Sequence, residues 1–404
     1  MGDTQQQLWR FKALDTWFFR ESRPMESVGG SELLSAFPPS PRTLAGAIRS
    51  VVGEHHRVDW RQWKDKAQQP PLKQRIGDAD GLGKLTVSGP WLACENAEGE
   101  VERLFPVPRN LVALREGNSI KQTLRMQVGK PRYCDLGKAV RMAASPLLEA
   151  KTAALEDEWI NATTLYQVLM GGICQPDALV TTRNLFAREA RLGIARDNMS
   201  RSVETGLLYQ TRHVRPMQNV IVEMGVTGLL ADDHPMQGVV RFGGEGRGAA
   251  YAVQPLTDTC FPTKVQANSH THGILLMLLT PAGMANASGE TAYAPLPGFQ
   301  CTEQSGATVW RGQLQGIPLT LHCAIQGKPV REGGWDLANN QPRAVQSLIP
   351  AGSVYYLTVD NGDIPAAIDT LHLTQLPAEQ NELALGRGLL AVGLWPDNEL
   401  MGKE

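Results

Sequence analysis

The feature that most constrains this chain is a glycine-rich loop whose downstream neighbour is a strand. Arg241-Phe-Gly-Gly-Glu-Gly-Arg-Gly248 holds four glycines in six positions, and the run that follows, Ala249 to Val253, is apolar and β-compatible. A dinucleotide-binding fold needs a strand, a glycine loop and then a helix, whose N-terminus receives the pyrophosphate. A loop that feeds a strand excludes that fold. What it offers instead is bare main chain at Gly243, Gly244 and Gly246, which another chain can approach closely, bracketed by Arg241 and Arg247. A tight turn explains the same residues. The tail repeats the theme in Leu385-Gly-Arg-Gly388, again ahead of a strand-like run that ends at Trp395-Pro396, and two such loops point to a duplicated unit without a fixed-period repeat.

Length agrees with duplication, because 404 residues exceed what one hydrophobic core usually holds. We expect a boundary just after the first glycine loop and its strand, giving units 1–255 and 256–404. The hydrophobic fraction of 42% and charged fraction of 20% fit a globular chain and argue against disorder. No apolar run approaches membrane-spanning length, and the polar start lacks signal-peptide character, so a cytoplasmic location is expected. Six scattered cysteines without a CxxC pair read as reduced thiols. His270-Thr-His272 would need further ligands to hold a metal, and none stands at suitable spacing, so neither metal nor cofactor is expected.

The clearest helix start is Ser40-Pro41. Serine accepts backbone N–H bonds as N-cap, and proline at the first helical position loses no needed donor. Leu44, Ile48 and Val51 then recur at helical spacing, with Gly53 as the expected stop. Leu8 to Phe19 reads as an opening strand, and Arg20 to Ser31 as a loop. Arg42 and Arg49 share one side of the helix, while Arg20 and Arg23 precede it. Guanidinium forks around a helix N-terminus make a sensible anion site, although a solvated face with ion pairs explains the same pattern.

Net charge is only −2, from 39 basic and 41 acidic groups, but the basic ones gather locally. One stretch, Arg115 to Arg141, contains Arg125, Lys130 and Arg132; in another, Arg183 to Arg215, seven arginines face Glu189, Asp197 and Glu204. Two basic segments fit a long polyanion better than one phosphate, and two charged surface faces also satisfy the pattern. The loop tryptophan Trp335 can stack on a base or anchor its loop.

Five segments together carry a family resemblance. They are Leu14-Asp-Thr-Trp-Phe-Phe-Arg20 with Arg23-Pro24, the stretch Phe37-Pro-Pro-Ser-Pro-Arg-Thr-Leu-Ala-Gly-Ala-Ile-Arg49, Gly243-Gly-Glu-Gly-Arg247, Gly333-Gly-Trp-Asp336, and Ile349-Pro-Ala-Gly-Ser-Val-Tyr355. In these the chain resembles the five-prime-handle-binding RAMP subunit of Cmr-type (type III-B) CRISPR effector complexes. Met25, where an aromatic is expected, is a mild departure.

The resemblance implies an α+β fold of two ferredoxin-like (RRM-like) βαββαβ domains with insertions. It further implies a non-catalytic subunit that caps the 5′ handle of the crRNA and docks the large polymerase/cyclase-like subunit and a backbone RAMP subunit. The expected RNA-binding residues are Arg20, Arg23, Ser40, Arg42, Thr43, Arg49, Arg125, Lys130, Arg132, Gly243, Gly244, Gly246, Arg247 and Trp335. Two alternatives stand beside this reading. A metal-independent endoribonuclease processing precursor crRNA would draw its base from His55, His56 or His213, none of which sits in a recognisable constellation. A protein–protein scaffold would pair its arginines with acidic partner surfaces.

Overall fold

A computed structural model describes residues 6–22, 32–65, 67–79, 81–117, 119–134, 137–147, 151–196, 199–200, 202–257, 260–283, 294–336 and 340–397. The architecture is mixed α+β, rich in strands and poor in helices: α1 (Pro41–His55), α2 (Pro70–Ile76), α3 (Ala162–Leu169), α4 (Ile364–Leu371) and α5 (Gln380–Ala384).

Two eight-stranded sheets form the frame. The first runs, in spatial order, Val180–Thr181, Glu158–Asn161, Val101–Pro106, Thr86–Glu95, Val220–Thr227, Gln7–Ala13, Gly248–Pro255 and Gln237–Arg241, with neighbours antiparallel throughout. The second runs Leu390–Pro396, Thr271–Leu278, Val354–Val359, Ile317–Ile325 and Ala307–Leu314, then takes Ala139–Ala144 and Gln127–Tyr133 from the earlier half; Gln300–Gln304 pairs beside this path. Four neighbouring strands of each sheet share one order: Gly248–Pro255, Gln7–Ala13, Val220–Thr227 and Thr86–Glu95 in the first, and Leu390–Pro396, Thr271–Leu278, Val354–Val359 and Ile317–Ile325 in the second, where Leu390–Pro396 is the edge strand. Numbered along the chain within each half they lie fourth, first, third, second, and in both halves the fourth strand follows a Gly-Arg-Gly loop. The duplication expected from the two loops is therefore present at the level of strand order.

Helices do not repeat in the same way. Residues 228–247, between the third and fourth of these strands in the first half, contain no helix, and among the described residues none lies between the first and second of them in the second half. Each half thus departs from a complete βαββαβ plan. Nor do the two cores divide cleanly at residue 255: the second-half core also takes in Trp91, Phe105, Leu111, Leu165 and Leu169, and a Cβ added at Gly393 would lie 2.9 Å from the Leu169 side chain.

Local physics explains where the elements start and stop. Ser40 accepts the N–H of Thr43 at 3.4 Å as N-cap of α1, with Pro41 in its first turn. The helix runs two residues past Gly53, which is no cap: the Trp60 ring lies 2.2 Å from where a Cβ would stand, so this glycine makes room for an indole. The opening strand ends at Ala13, earlier than its apolar composition implies, because the chain turns at Leu14–Asp15 and sends Trp17 and Phe19 into the core. There Phe242 stacks on Phe11 (5.0 Å) and meets Trp17 (5.0 Å) and Phe19 (5.3 Å). Gly89-Pro90 does not break its strand; Thr86–Glu95 continues through it.

Several buried histidines give a pH signature. Burial, reinforced by Arg141 and His272, lowers the pKa of His322 to about 4, against its ordinary 6.5. His213, His234 and His372 shift the same way, each through burial first. The unfolded chain takes up these protons at a higher pH than the folded one. Stability is therefore full above about pH 6.5 and falls as pH drops toward 4, His322 alone accounting for about 3 kcal/mol. Urea unfolding from pH 7 to pH 4 should show this decline, with a shallower slope for His322→Gln; a flat profile would refute the assignment.

Candidate nucleic-acid interface

The inner side of α1 is apolar and buried through Leu44, Ala45, Ile48, Val51 and Val52, which leaves Arg42, Thr43, Gly46 and Arg49 on the outer side. Arg42 is not free. It pairs with Glu382 and, at 3.4 Å, with Glu332, and the buried Arg387 sits on the same two carboxylates. Arg49 donates to the Asp78 carbonyl at 2.9 Å. Burial pulls the Arg49 pKa below its ordinary value; Asp78 opposes this and the nearby Arg343 adds to it. Arg49 and Arg343, from opposite halves, are therefore close enough to feel each other's charge.

The tryptophan loop closes on the same place. Trp335 is half-exposed and pairs in register with Pro342, which precedes Arg343; the Arg343 N–H donates to the Gly334 carbonyl at 2.9 Å and its guanidinium pairs with Asp336 at 3.6 Å. A Cβ at Gly333 would lie 3.1 Å from Ser22 Oγ, so this loop abuts the segment that carries Arg20. Arg20 is exposed, forms no ion pair among the described residues, and pairs through its main chain with Ser35. Arg23 lies outside the described residues. The tryptophan loop of the second half thus meets the segment of Arg20 at Ser22 and brings Arg343 near Arg49 of α1.

The first glycine loop is a tight turn that also makes close contacts within the chain. Gly243, Glu245 and Gly246 have φ of 85°, 57° and 65°. The Gly244 N–H donates to the Phe18 carbonyl at 2.8 Å, and a Cβ at Gly243 would lie 2.5 Å from that oxygen. Gly246 alone faces open space. Arg247 pairs with Asp15 at 3.1 Å, and Asp15 also receives Arg191 (3.1 Å) and Arg215 (2.9 Å), both of which reach Glu189. Against the opposing effect of burial, hydrogen bonds from Arg191 and Arg215 hold the Asp15 carboxyl below its usual range. Three cations around two carboxylates leave one positive charge in excess at the root of the long ribbon Phe186–Arg196 and Val203–Pro216.

The other basic candidates separate. Arg125 corrects the expectation of a uniformly basic surface: it is 8% exposed and turned inward, donating to the carbonyls of Val168 (2.8 Å) and Gly172 (3.3 Å) at the end of α3. Helix C-termini present unpaired carbonyls and negative partial charge, so a cation is drawn there. Lys130 and Arg132 are exposed on Gln127–Tyr133, the edge strand of the second sheet, and no hydrogen bond or ion pair among the described residues joins them to α1 or the glycine loop.

Two of the candidate histidines, His56 and His213, are held by fold contacts among the described residues. His213 is 1% exposed, bonded to Thr16 (3.1 Å) and stacked on Phe18. His56 meets Asp233 at 3.1 Å, and Asp233 also binds Arg75. His272 packs against Trp395, and no cluster of three metal-ligating side chains occurs among the described residues. No helix there is long and apolar enough to cross a membrane.

Sequence reasoning missed Glu332, Glu382, Arg343 and Arg387 as partners of the site. A signal existed for Arg387, because Gly386-Arg-Gly388 stands before the fourth strand of its half as Gly246-Arg-Gly248 does in the first. Both arginines bind carboxylates.

Comparison with known proteins adds the family. Among solved structures, a chain of the type III-B Cmr-beta complex bound to cognate target RNA is 14% identical, with TM-score 0.47, over 97% of this chain and 99% of that one. Another, from the complex with cognate target RNA and AMPPnP, is 14% identical with TM-score 0.45, over 87% and 86%. A chain of the Csm3-Csm4 subcomplex of the type III-A CRISPR-Cas interference complex is 10% identical with TM-score 0.37, over 87% and 92%. No curated protein matches. A family described as CRISPR-associated protein (Cas_Cmr3) matches residues 9–395, across both halves and every element of the surface described above. The chain belongs to the Cas_Cmr3 family of CRISPR-associated proteins.

Proposed function

We propose that this chain is the subunit of a type III-B CRISPR effector complex that binds and caps the 5′ handle of the crRNA, docking the large polymerase/cyclase-like subunit and a backbone RAMP subunit, without catalysing a reaction itself. Its two halves, 1–255 and 256–404, are two ferredoxin-like units that have each lost a helix. The shared order of four strands supports that reading. The observation that supports the RNA assignment is the seat of the Gly333–Trp335 loop against Ser22, two residues from Arg20, with Arg343 of the same hairpin close to Arg49 and Trp335 half-exposed. Guanidinium forks hold phosphates and fix register, while a half-exposed indole stacks on a base. Phosphate oxygens can also compete with Asp15 for Arg247.

Fluorescence anisotropy with a single-stranded handle RNA tests this. Arg20→Ala, Arg49→Ala and Arg247→Ala should each weaken binding by about 1.5–3 kcal/mol and lower the slope of log affinity against log salt by about 0.7. Trp335→Ala should cost about 1–3 kcal/mol and leave the slope unchanged, since stacking releases no counterions. Unchanged affinity in all four variants would defeat the site. Salt-independent binding, or none, would favour a purely protein–protein role.

A further inference from the structure

A cleft of about 600 Å³ opens beside this surface, lined by Phe37, Asp157, Trp159, Arg183, Phe186 and Arg188 among others. Most of its polar groups are occupied. Glu158 is paired with Arg115 at 2.6 Å and Glu156 with Arg109 at 2.9 Å. The Trp159 indole donates to Thr182 Oγ1, which in turn donates to the Asp157 carbonyl at 2.9 Å. Arg188 donates to the Ser35 carbonyl at 2.9 Å and lies over the Phe186 ring. Two groups remain. Asp157 and Arg183 belong to the residues that line the cleft, both are solvent-exposed, and neither side chain has a hydrogen-bond or ion-pair partner among the described residues.

A free carboxylate, a free guanidinium and the half-buried rings of Phe37 and Trp159 in one cavity form the recognition set for an unpaired nucleotide. The carboxylate selects the base. It only accepts, so its best partner offers two adjacent donors, and guanine alone does so through N1–H and N2–H. Adenine and cytosine set a donor beside an acceptor, and uracil flanks its single donor with acceptors. We propose that this cleft receives one unstacked guanine nucleotide of the bound RNA, with Asp157 reading its Watson–Crick edge, Phe37 or Trp159 stacking on it, and Arg183 holding a phosphate.

The inference rests on the RNA-binding reading above and is continuous with that surface: Ser35, which accepts the Arg188 guanidinium, also pairs through its main chain with Arg20.

Titration of the intact protein with the four nucleoside monophosphates tests the cleft alone. Guanosine monophosphate should bind at least about tenfold more tightly than adenosine, cytidine or uridine monophosphate, the discrimination of one good bidentate contact. Asp157→Asn should reduce that preference to less than threefold while leaving adenosine monophosphate unchanged, and Arg183→Ala should weaken all four alike. Asp157 is exposed and its carboxylate makes no contact with another described residue, so the variant should fold. Handle RNA with inosine in place of each guanine in turn, which removes N2–H, should lose affinity at a single position, and that loss should vanish in Asp157→Asn. Equal binding of the four monophosphates, absence of binding at millimolar concentration, or an unaltered guanine preference in Asp157→Asn overturns the proposal. If handle RNA binds normally while these arms fail, only the cleft is wrong. If guanosine monophosphate binds with the expected selectivity but handle RNA does not bind, the RNA reading fails and the guanine site stands as one for a free nucleotide.

Discussion

Replacing Glu223 with alanine should lower folding stability by about 3–5 kcal/mol, the cost of breaking a buried ion pair by removing one partner. Glu223 lies at the centre of the first sheet and is 1% exposed. Its carboxylate receives Arg10 Nε at 2.9 Å on one side and Arg103 on the other, through Nε at 3.0 Å and Nη2 at 2.9 Å. The Arg103 guanidinium is shut off from solvent between the rings of Trp91 (5.3 Å) and Phe261 (4.8 Å), the latter contributed by the second half. Without Glu223 it would keep its charge, lose its anion and remain buried. Arg10, a quarter exposed, can turn to water or keep its contact with Gln254. The loss should therefore fall mainly on Arg103, and the double variant Glu223→Leu, Arg103→Met should recover most of it, because apolar packing of similar volume commonly equals a buried pair. Urea unfolding midpoints of the three proteins decide this. A midpoint for Glu223→Ala within error of the parent would mean that the charge finds water and that the sheet face is not sealed by the second half.

That contact shows why some of the molecule was legible in the sequence and some was not. Ser40-Pro41 and the periodic Leu44, Ile48 and Val51 are governed by neighbours in the chain, and the structure returns their helix close to its expected bounds. The glycine loop ahead of a strand was legible for the same reason, since φ values of 85° and 65° at Gly243 and Gly246 are a local demand. Distant contacts decided the rest. Arg42 was readable as an exposed helix arginine, but its partners Glu332 and Glu382 lie 290 and 340 positions away in the chain. Arg125 looked like part of a basic stretch until the end of α3 drew its side chain inward. Gly53 resembled a helix stop and proved to be a seat for Trp60, a choice made by packing. In the candidate site, side-chain chemistry was thus easier to read than its state of pairing.

The pairing of Arg387 carries the second large expectation. Arg387→Ala should cost about 3–5 kcal/mol of stability and, unlike Glu223→Ala, should also weaken handle RNA binding although this side chain is 3% exposed and faces no ligand. Arg387, from the loop before the edge strand Leu390–Pro396, holds Glu332 of the tryptophan-loop strand and Glu382 of α5, and Arg42 of α1 holds both carboxylates from the other side. This ion quartet joins the helix of the first half to three segments of the second. Removing Arg387 leaves two carboxylates on one guanidinium that is a third exposed, and their mutual repulsion should release the strand Val330–Glu332 that leads into Gly333 and Trp335. Arg387→Lys keeps the charge but cannot span both carboxylates with a planar fork, so it should recover stability only in part. Arg42→Ala should be milder, because water can reach its place. The decisive comparison measures affinity for handle RNA alongside unfolding midpoints, at a temperature where every variant is folded. If Arg387→Ala lowers the midpoint yet binds RNA as the parent does, the quartet stabilises the fold without positioning Trp335, and the stacking role would have to come from elsewhere on the surface.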